Sequence, residues 1–287
     1  MADTRNWAVG SNHYIRRPKS EVRSSAREAS LRLPRLALPV RQEEATGITW
    51  DRDSLDWDLL TSSPVDRVRA RYRASLPEYI WDAASLEGNP YTLPEVQTLL
   101  EGITVNGHKL EEQDQILALN DAYNTADHLV EVGTFRLDKK TSDLLHSQVA
   151  IHEAIESGHF RGEGQVGGGG LVGLGALGSY QASAPGERGI TLIEEHRALV
   201  DYLEGLDDPR EQALAYFCAA TRRQFYFDGN KRASRLMMIG HLMSNGFDAI
   251  SVSARRRLEF NTHLGELFDT GDATTMMRFL VDSRPAE

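Results

Sequence analysis

Two apolar helices joined by a short charged turn constrain this chain more than any other feature. Ala213 to Ala220 is apolar almost all the way round, so the helix that carries it must be buried. Asp208, Pro209 and Glu211 start that helix, with Asp as the cap and Pro in the first turn. Downstream, Leu236, Met237, Ile239, Leu242 and Met243 recur at helical spacing until Asn245-Gly246 closes the run. Between them lies Gln224-Phe225-Tyr226-Phe227-Asp228-Gly229-Asn230-Lys231-Arg232-Ala233-Ser234-Arg235, so Asp228-Gly229-Asn230 is a tight turn between two buried helices. Lys231, Arg232 and Arg235 then fall near the start of the second helix, where each cation is unfavourable by a few tenths to about 1 kcal/mol. A bound anion removes that cost. Backbone N–H groups around a turn glycine form an anion nest, and the helix start adds its own free N–H groups. Asp228, beside such an anion, can hold a divalent cation through its carboxylate.

The run Phe227-Asp228-Gly229-Asn230-Lys231-Arg232, with Arg235 three positions on, resembles the signature of the Fic (Fido) family, H-x-F-x-[DE]-G-N-[GK]-R-x-x-[RS]. The resemblance implies a Fic-type helical bundle with a short flap, a hairpin or loop, beside the active-site turn. It implies that Asp228, Gly229, Asn230, Lys231, Arg232 and Arg235 bind the phosphates of ATP, with Asp228 on Mg2+ and Arg235 at the γ-phosphate. The activity implied is transfer of AMP to a Ser, Thr or Tyr hydroxyl of a target protein. The chain departs from the pattern twice. Gln224 stands where the family has its general base, His, and Tyr226 stands where Phe is usual.

A chain of 287 residues, 40% hydrophobic and 26% charged, has the composition of a soluble globular protein with a substantial core. Its net charge of −10 argues against a general nucleic-acid binder. No apolar run approaches the roughly 20 residues that span a bilayer. Cys218 is the only cysteine, which excludes an internal disulfide and fits a reducing, cytoplasmic setting; its apolar helix makes it a core thiol. Residues 1–45 read as a flexible basic arm, with nine Arg or Lys between Arg5 and Arg41 and few acids. Residues 46–105 read as an N-terminal helical region and 106–287 as the Fic core.

Outside the flap, strand-like alternation is scarce and the class is all-α. Spacing predicts helices over Val65–Trp81, Glu111–Glu131 and Leu137–Ser157, and others through Leu258–Phe268 and after Gly271-Asp272. Thr92 and Glu95 form a capping box for one helix, and Thr191 and Glu194 cap another. Glu87-Gly88-Asn89 resembles the family's inhibitory motif, [ST]-x-x-x-E-[GN], although Ala83 replaces its leading Ser or Thr. In that resemblance Glu87 pairs with Arg235 and hinders the γ-phosphate. Gly158-His159-Phe160-Arg161 resembles the family's G-x-[FY]-R element, so the glycine-rich stretch after Arg161 sits where the flap should be. Gly173, Gly175 and Gly178 spell G-x-G-x-x-G, but no helix follows and a dinucleotide site has no support. His152-Glu153 lacks the second His of a zinc motif, so His152 and His146 read as packing or surface residues.

Gln has no basic site near neutral pH, and general-base help is worth about 10²–10⁴-fold. Four readings stay open on the sequence: a nucleotide-binding Fic-fold protein with weak or lost transfer, an AMP transferase whose His was changed to Gln, a Doc-like kinase using Lys231, and a pure binding module. The expected partners are a nucleotide and a target protein, with a homodimer also compatible.

Overall fold

The computed structural model describes residues 41–173 and 178–285. The basic arm expected over residues 1–45 lies outside the described residues up to residue 40, and its last residues enter a short helix, α1 (Gln42–Thr46). Next come α2 (Val65–Ala74) and α3 (Leu76–Leu86), where the spacing predicts one continuous helix. The break at Ser75 has a covalent cause. Pro77 has no N–H for the carbonyl of Arg73, and its ring would collide with that carbonyl in an unbroken helix. α4 (Leu93–Leu100) opens on the expected capping box, the Thr92 N–H donating to Glu95 Oε2 at 2.8 Å. α5 (Leu110–Glu131) follows it.

α6 (Lys139–Val149) ends well before the predicted Ser157. The chain doubles back there, and the Ser157 hydroxyl donates to the Ser147 carbonyl at 3.0 Å while the Gly158 N–H donates to His146 Nδ1 at 2.9 Å. The helical spacing of Ile151 and Ile155 is therefore incidental, and both side chains face solvent. The expected flap is a hairpin of β1 (Leu171–Gly173) and β2 (Ser179–Gln181), antiparallel with Val172 opposite Tyr180. Gly175 lies outside the described residues. α7 (Ile190–Glu204) opens from a left-handed Gly189, two residues ahead of the expected Thr191 cap.

α8 (Pro209–Arg223) and α9 (Asn230–Ser244) are the two apolar helices flanking the signature turn. Asp208 caps α8 through its side chain, accepting the Arg210 N–H at 2.9 Å. The pair forms the most extensive helix contact of the fold, and α5 and α6 close the other sides of α9. That enclosure explains why Leu236, Met237, Met238 and Ile239 are all buried despite covering every side of the helix. α10 (Arg257–Thr270) and α11 (Thr274–Asp282) complete the bundle, and the tilted rings of Phe217, Phe260 and Phe279 pack in series from α8 across both. The segment before α2 is strapped onto α8. Trp50 Nε1 and Arg52 Nε each donate to the buried Glu211 carboxylate at 2.8 Å. No helix among the described residues is long and apolar enough to cross a membrane. Cys218 is a buried free thiol whose pKa burial pushes up, consistent with an inert core position.

Candidate nucleotide site

Gln224 ends α8 in the left-handed region, φ 53°, one of two non-glycine residues there among those described. The cost of that conformation, of order 1 kcal/mol, is offset by how firmly the residue is tied. Its Nε2 donates to the Thr221 carbonyl at 2.7 Å, and its Oε1 accepts from Asn230 Nδ2 at 3.1 Å. Asn230 also closes the turn itself, accepting the Tyr226 N–H at 2.9 Å and donating to the Tyr226 carbonyl at 2.8 Å. Asn230, read from the sequence as a nucleotide ligand, is thus the staple of the loop, and Gln224 has both ends of its amide engaged.

Gly229 is required twice. Its φ is 73°, and a Cβ there would lie 2.9 Å from the Ala150 methyl. Beneath the turn Tyr226 is buried and its hydroxyl meets Ser142 Oγ at 2.8 Å and Asp143 Oδ1 at 2.9 Å. A phenylalanine could not make these contacts, so the departure from Phe is accommodated by polar partners on α6. His146, one turn further along α6, stacks flat on the Tyr226 ring and is pushed down to about 4 by burial, so it is neutral at pH 7. His152 is exposed.

The three cations at the start of α9 have different surroundings. Lys231 Nζ lies 2.9 Å from Glu87 Oε2. Arg232 is buried, donating to the Val149 carbonyl at 3.1 Å and to the Glu153 carboxylate. Arg235 is 1% exposed; its two terminal nitrogens have no hydrogen-bond partner among the described residues, and its guanidinium lies 5.9 Å from the Phe260 ring centroid. The Glu87–Arg235 pairing expected from the sequence is not formed. Glu87 follows the last turn of α3 and meets α9 at its first turn, where Lys231 stands. Arg235 lies one turn deeper, beneath the apolar packing of α10. Burial pushes the Glu87 carboxyl up, but Lys231, Arg232 and Arg235 outweigh it and hold the group below its ordinary value. Its Oε1 has no hydrogen-bond partner among the described residues.

A cavity of about 690 Å³ opens over this turn. Gln224, Asp228 to Arg232 and Glu87 form its polar wall. α10 supplies Leu258, Asn261, Thr262, Leu264 and Phe268, and the flap supplies Val172 and Gly173. Asn261 and Thr262 were missed in the sequence, where they read as polar steps on an ordinary amphipathic helix. The flap is tied to the turn by Arg161. This buried guanidinium donates to the Gln224 carbonyl at 2.7 Å, to the Ser183 carbonyl at 3.1 Å and to the Gly169 carbonyl. Burial lowers its pKa from the ordinary value.

Asp228 has a mostly exposed carboxylate whose Oδ1 accepts the Gly229 N–H at 2.5 Å and lies 3.6 Å from Arg232. No cluster of three or more metal-ligating side chains occurs among the described residues. One carboxylate beside a phosphate site suits magnesium, which keeps several waters and takes one or two carboxylates plus phosphate oxygens. Arg235 lies behind the cavity wall rather than in it, and a buried cation without a partner among the described residues is costly, so its charge favours an anion in the cavity nearby.

The fold is that of Fic-domain structures. It superposes on a Fic domain containing signaling protein from Bacteroides thetaiotaomicron with a TM-score of 0.60 at 18% identity, over 78% of this chain and 85% of that one. It also superposes on Fic-1 (residues 134–508) from C. elegans with a TM-score of 0.61 at 18% identity, over 76% and 67%. In sequence the chain is 29% identical over 211 residues to protein adenylyltransferase Fic of Drosophila virilis, covering 71% of this chain and 40% of the relative. For the Drosophila willistoni protein of the same name the identity is 29% over 239 residues, 80% of this chain and 45% of the relative. The chain spans less than half the length of these curated relatives. No family model matches it. The likenesses in sequence and fold together support the Fic domain family.

Proposed function

We propose that this chain is a Fic-fold protein of the adenylyltransferase class. It binds ATP with Mg2+ at the Asp228–Arg235 turn, and its transfer of AMP to protein hydroxyls is weak or lost. The observation that carries the reading is the buried Arg235, whose two terminal nitrogens have no hydrogen-bond partner among the described residues, near the start of a helix that also bears Lys231 and Arg232. Glu87 and Glu153 already neutralise Lys231 and Arg232, so Arg235 is the cation of the three left without a counter-ion among the described residues, a costly arrangement that a bound anion relieves. The similarity to protein adenylyltransferases supports ATP as the source of that anion.

Each residue then has a task. The N–H groups of the first turn of α9 receive phosphate oxygens, the Gly229 N–H joins them once the Asp228 carboxylate turns from it to hold the metal, and Arg235 neutralises their charge from below. Bound Mg2+ would supply charge neutralisation on the phosphates. Asn261 and Thr262 offer hydrogen-bonding groups among the apolar side chains of α10 for the remainder of the nucleotide. The hydroxyl of a target segment lying against the flap would need its proton removed near position 224. Gln224 cannot take it, because its amide has no basic site and is committed to Asn230 and Thr221. A nucleotide-binding protein without catalysis is the second reading, favoured by that same commitment of the amide.

The test is calorimetric titration of the full chain with Mg·ATP, followed by incubation with α- and γ-labelled ATP and cell lysate. Binding is expected, with Asp228→Ala weakening it and at most slow transfer of the α label. Absence of binding by any nucleotide refutes the proposal, and transfer of the γ label instead refutes the adenylyltransferase class.

A further inference from the structure

The Asp228–Gly229 peptide is gripped from beneath by a residue outside the signature. His146 is fully buried in α6, its ring parallel to that of Tyr226 with centroids 3.6 Å apart. Its Nδ1 accepts the Gly158 N–H at 2.9 Å, so the ring hydrogen must sit on Nε2, which donates to the Asp228 carbonyl at 2.7 Å. The peptide unit is planar and trans, so its carbonyl and the following N–H point in opposite directions. Holding the Asp228 carbonyl down onto α6 therefore aims the Gly229 N–H up, toward the side where Asp228 Oδ1 receives it. A Cβ on Gly229 would lie 3.3 Å from Nε2, which places the two groups in close contact.

We propose that His146 is the positioning residue of the anion site, setting the direction of the Gly229 N–H through its hydrogen bond to the Asp228 carbonyl. The inference rests on the phosphate-binding reading above and adds to it a residue that no motif marks. It also gives α6 a function beyond packing. The same ring holds the start of the Gly158–Arg161 element through Nδ1 and the nest through Nε2, so the flap's anchor and the turn share one support. A residue that merely filled space would show no preference between polar replacements of like size. A positioning residue does.

Two substitutions separate these roles. The amide nitrogen of Gln lies three bonds from Cβ, as His Nε2 does, so His146→Gln can keep the donor to Asp228. The amide oxygen of Asn lies two bonds from Cβ, as Nδ1 does, so His146→Asn can keep the acceptor for Gly158 and loses the donor to Asp228. Each variant gives up one hydrogen bond, and similar losses in thermal midpoint are expected. Calorimetry of the full chain with Mg·ATP should find His146→Gln within about threefold of wild type and His146→Asn weaker by about tenfold, the worth of one hydrogen bond. Amide ¹⁵N relaxation without ligand gives a second readout. The Gly229 order parameter should stay near the rigid value of about 0.85 in wild type and His146→Gln and fall in His146→Asn. Equal affinities and equal order in the two variants overturn the inference. A wild-type protein that binds no Mg·ATP refutes the phosphate-binding reading instead, and the relaxation comparison still decides whether His146 holds the turn.

Discussion

Neutralising Glu87 without changing its shape should tighten nucleotide binding. Glu87 Oε2 lies 2.9 Å from Lys231 Nζ, with the two side chains 17% and 30% exposed. Arg232 is already matched by Glu153, so Lys231 is the cavity-lining cation whose charge Glu87 cancels. Two unit charges about 4 Å apart interact by about 4 kcal/mol at an effective dielectric constant of 20. Water reaching the half-buried lysine screens much of this, and the glutamine amide still occupies the space. About 1–2 kcal/mol remains for an incoming phosphate, so Glu87→Gln should bind Mg·ATP roughly 5- to 30-fold more tightly than wild type. Calorimetry at low and high salt is the assay, and the gain should shrink as salt rises because the charges are partly exposed. Lys231→Met should do the reverse, leaving the Glu87 carboxylate to repel the phosphates. Equal or weaker binding in Glu87→Gln, or tighter binding in Lys231→Met, would refute the reasoning.

Restoring a base at the end of α8 tests what the site lacks. Gln224→His should raise adenylylation of the chain itself or of lysate proteins by about 10²–10⁴-fold, read by mass spectrometry; no gain in a variant that still binds Mg·ATP would locate the defect elsewhere. Gly229→Ala should destabilise the fold by about 1–3 kcal/mol in chemical denaturation, because φ is 73° and the new methyl meets Ala150. An undiminished midpoint would mean that the turn relaxes. Stability should also fall in mild acid. Burial pushes His196 down to about 3 and His241 to about 4, so the unfolded chain takes up protons below pH 6.5 that the folded one refuses. Each then costs about 1.4 kcal/mol per pH unit until its folded value is reached. Asp82, raised to about 6 by burial, acts in the opposite direction between about pH 4 and 6. The two histidines outweigh it, and a thermal midpoint that rises on acidification from pH 6.5 to 5 would contradict the assignment.

The sequence was most informative where one residue does a local job. Asp208-Pro209 and Thr92 with Glu95 mark helix starts because capping needs only neighbours two or three positions away, and both operate in the structure. The turn at Asp228-Gly229-Asn230 was legible for the same reason. What spacing could not reveal depends on residues far apart in the chain. His146 and Asp228 are 82 positions apart, and only the packing of α6 against α9 brings them together. The partner of Glu87 was misread because Lys231 and Arg235 lie on the same side of α9 one turn apart, and which of them α3 reaches depends on how far α3 extends. Ile151 and Ile155 kept a helical rhythm after α6 had ended, since a periodic pattern carries no signal for a chain that folds back and caps itself.

Arg161 has a consequence for how freely the hairpin can vary. Its three acceptors, on Gln224, Gly169 and Ser183, are all main-chain carbonyls, which every amino acid supplies. Two of them bracket the hairpin, just before β1 and just after β2. The anchor is therefore indifferent to the side chains between its two attachment points. Residues 171–181 can be exchanged as a cassette, for a hairpin that presents different groups, while the clamp at its base keeps the same geometry relative to the Asp228–Gly229 turn. The constraint falls on Tyr180, whose ring packs on Phe268 at 5.0 Å and beneath the Arg222 guanidinium at 5.2 Å. A graft that keeps Tyr180, the length of the hairpin and the cavity-lining Val172 and Gly173 retains both points of attachment and the wall over the turn, and its remaining positions are open to change.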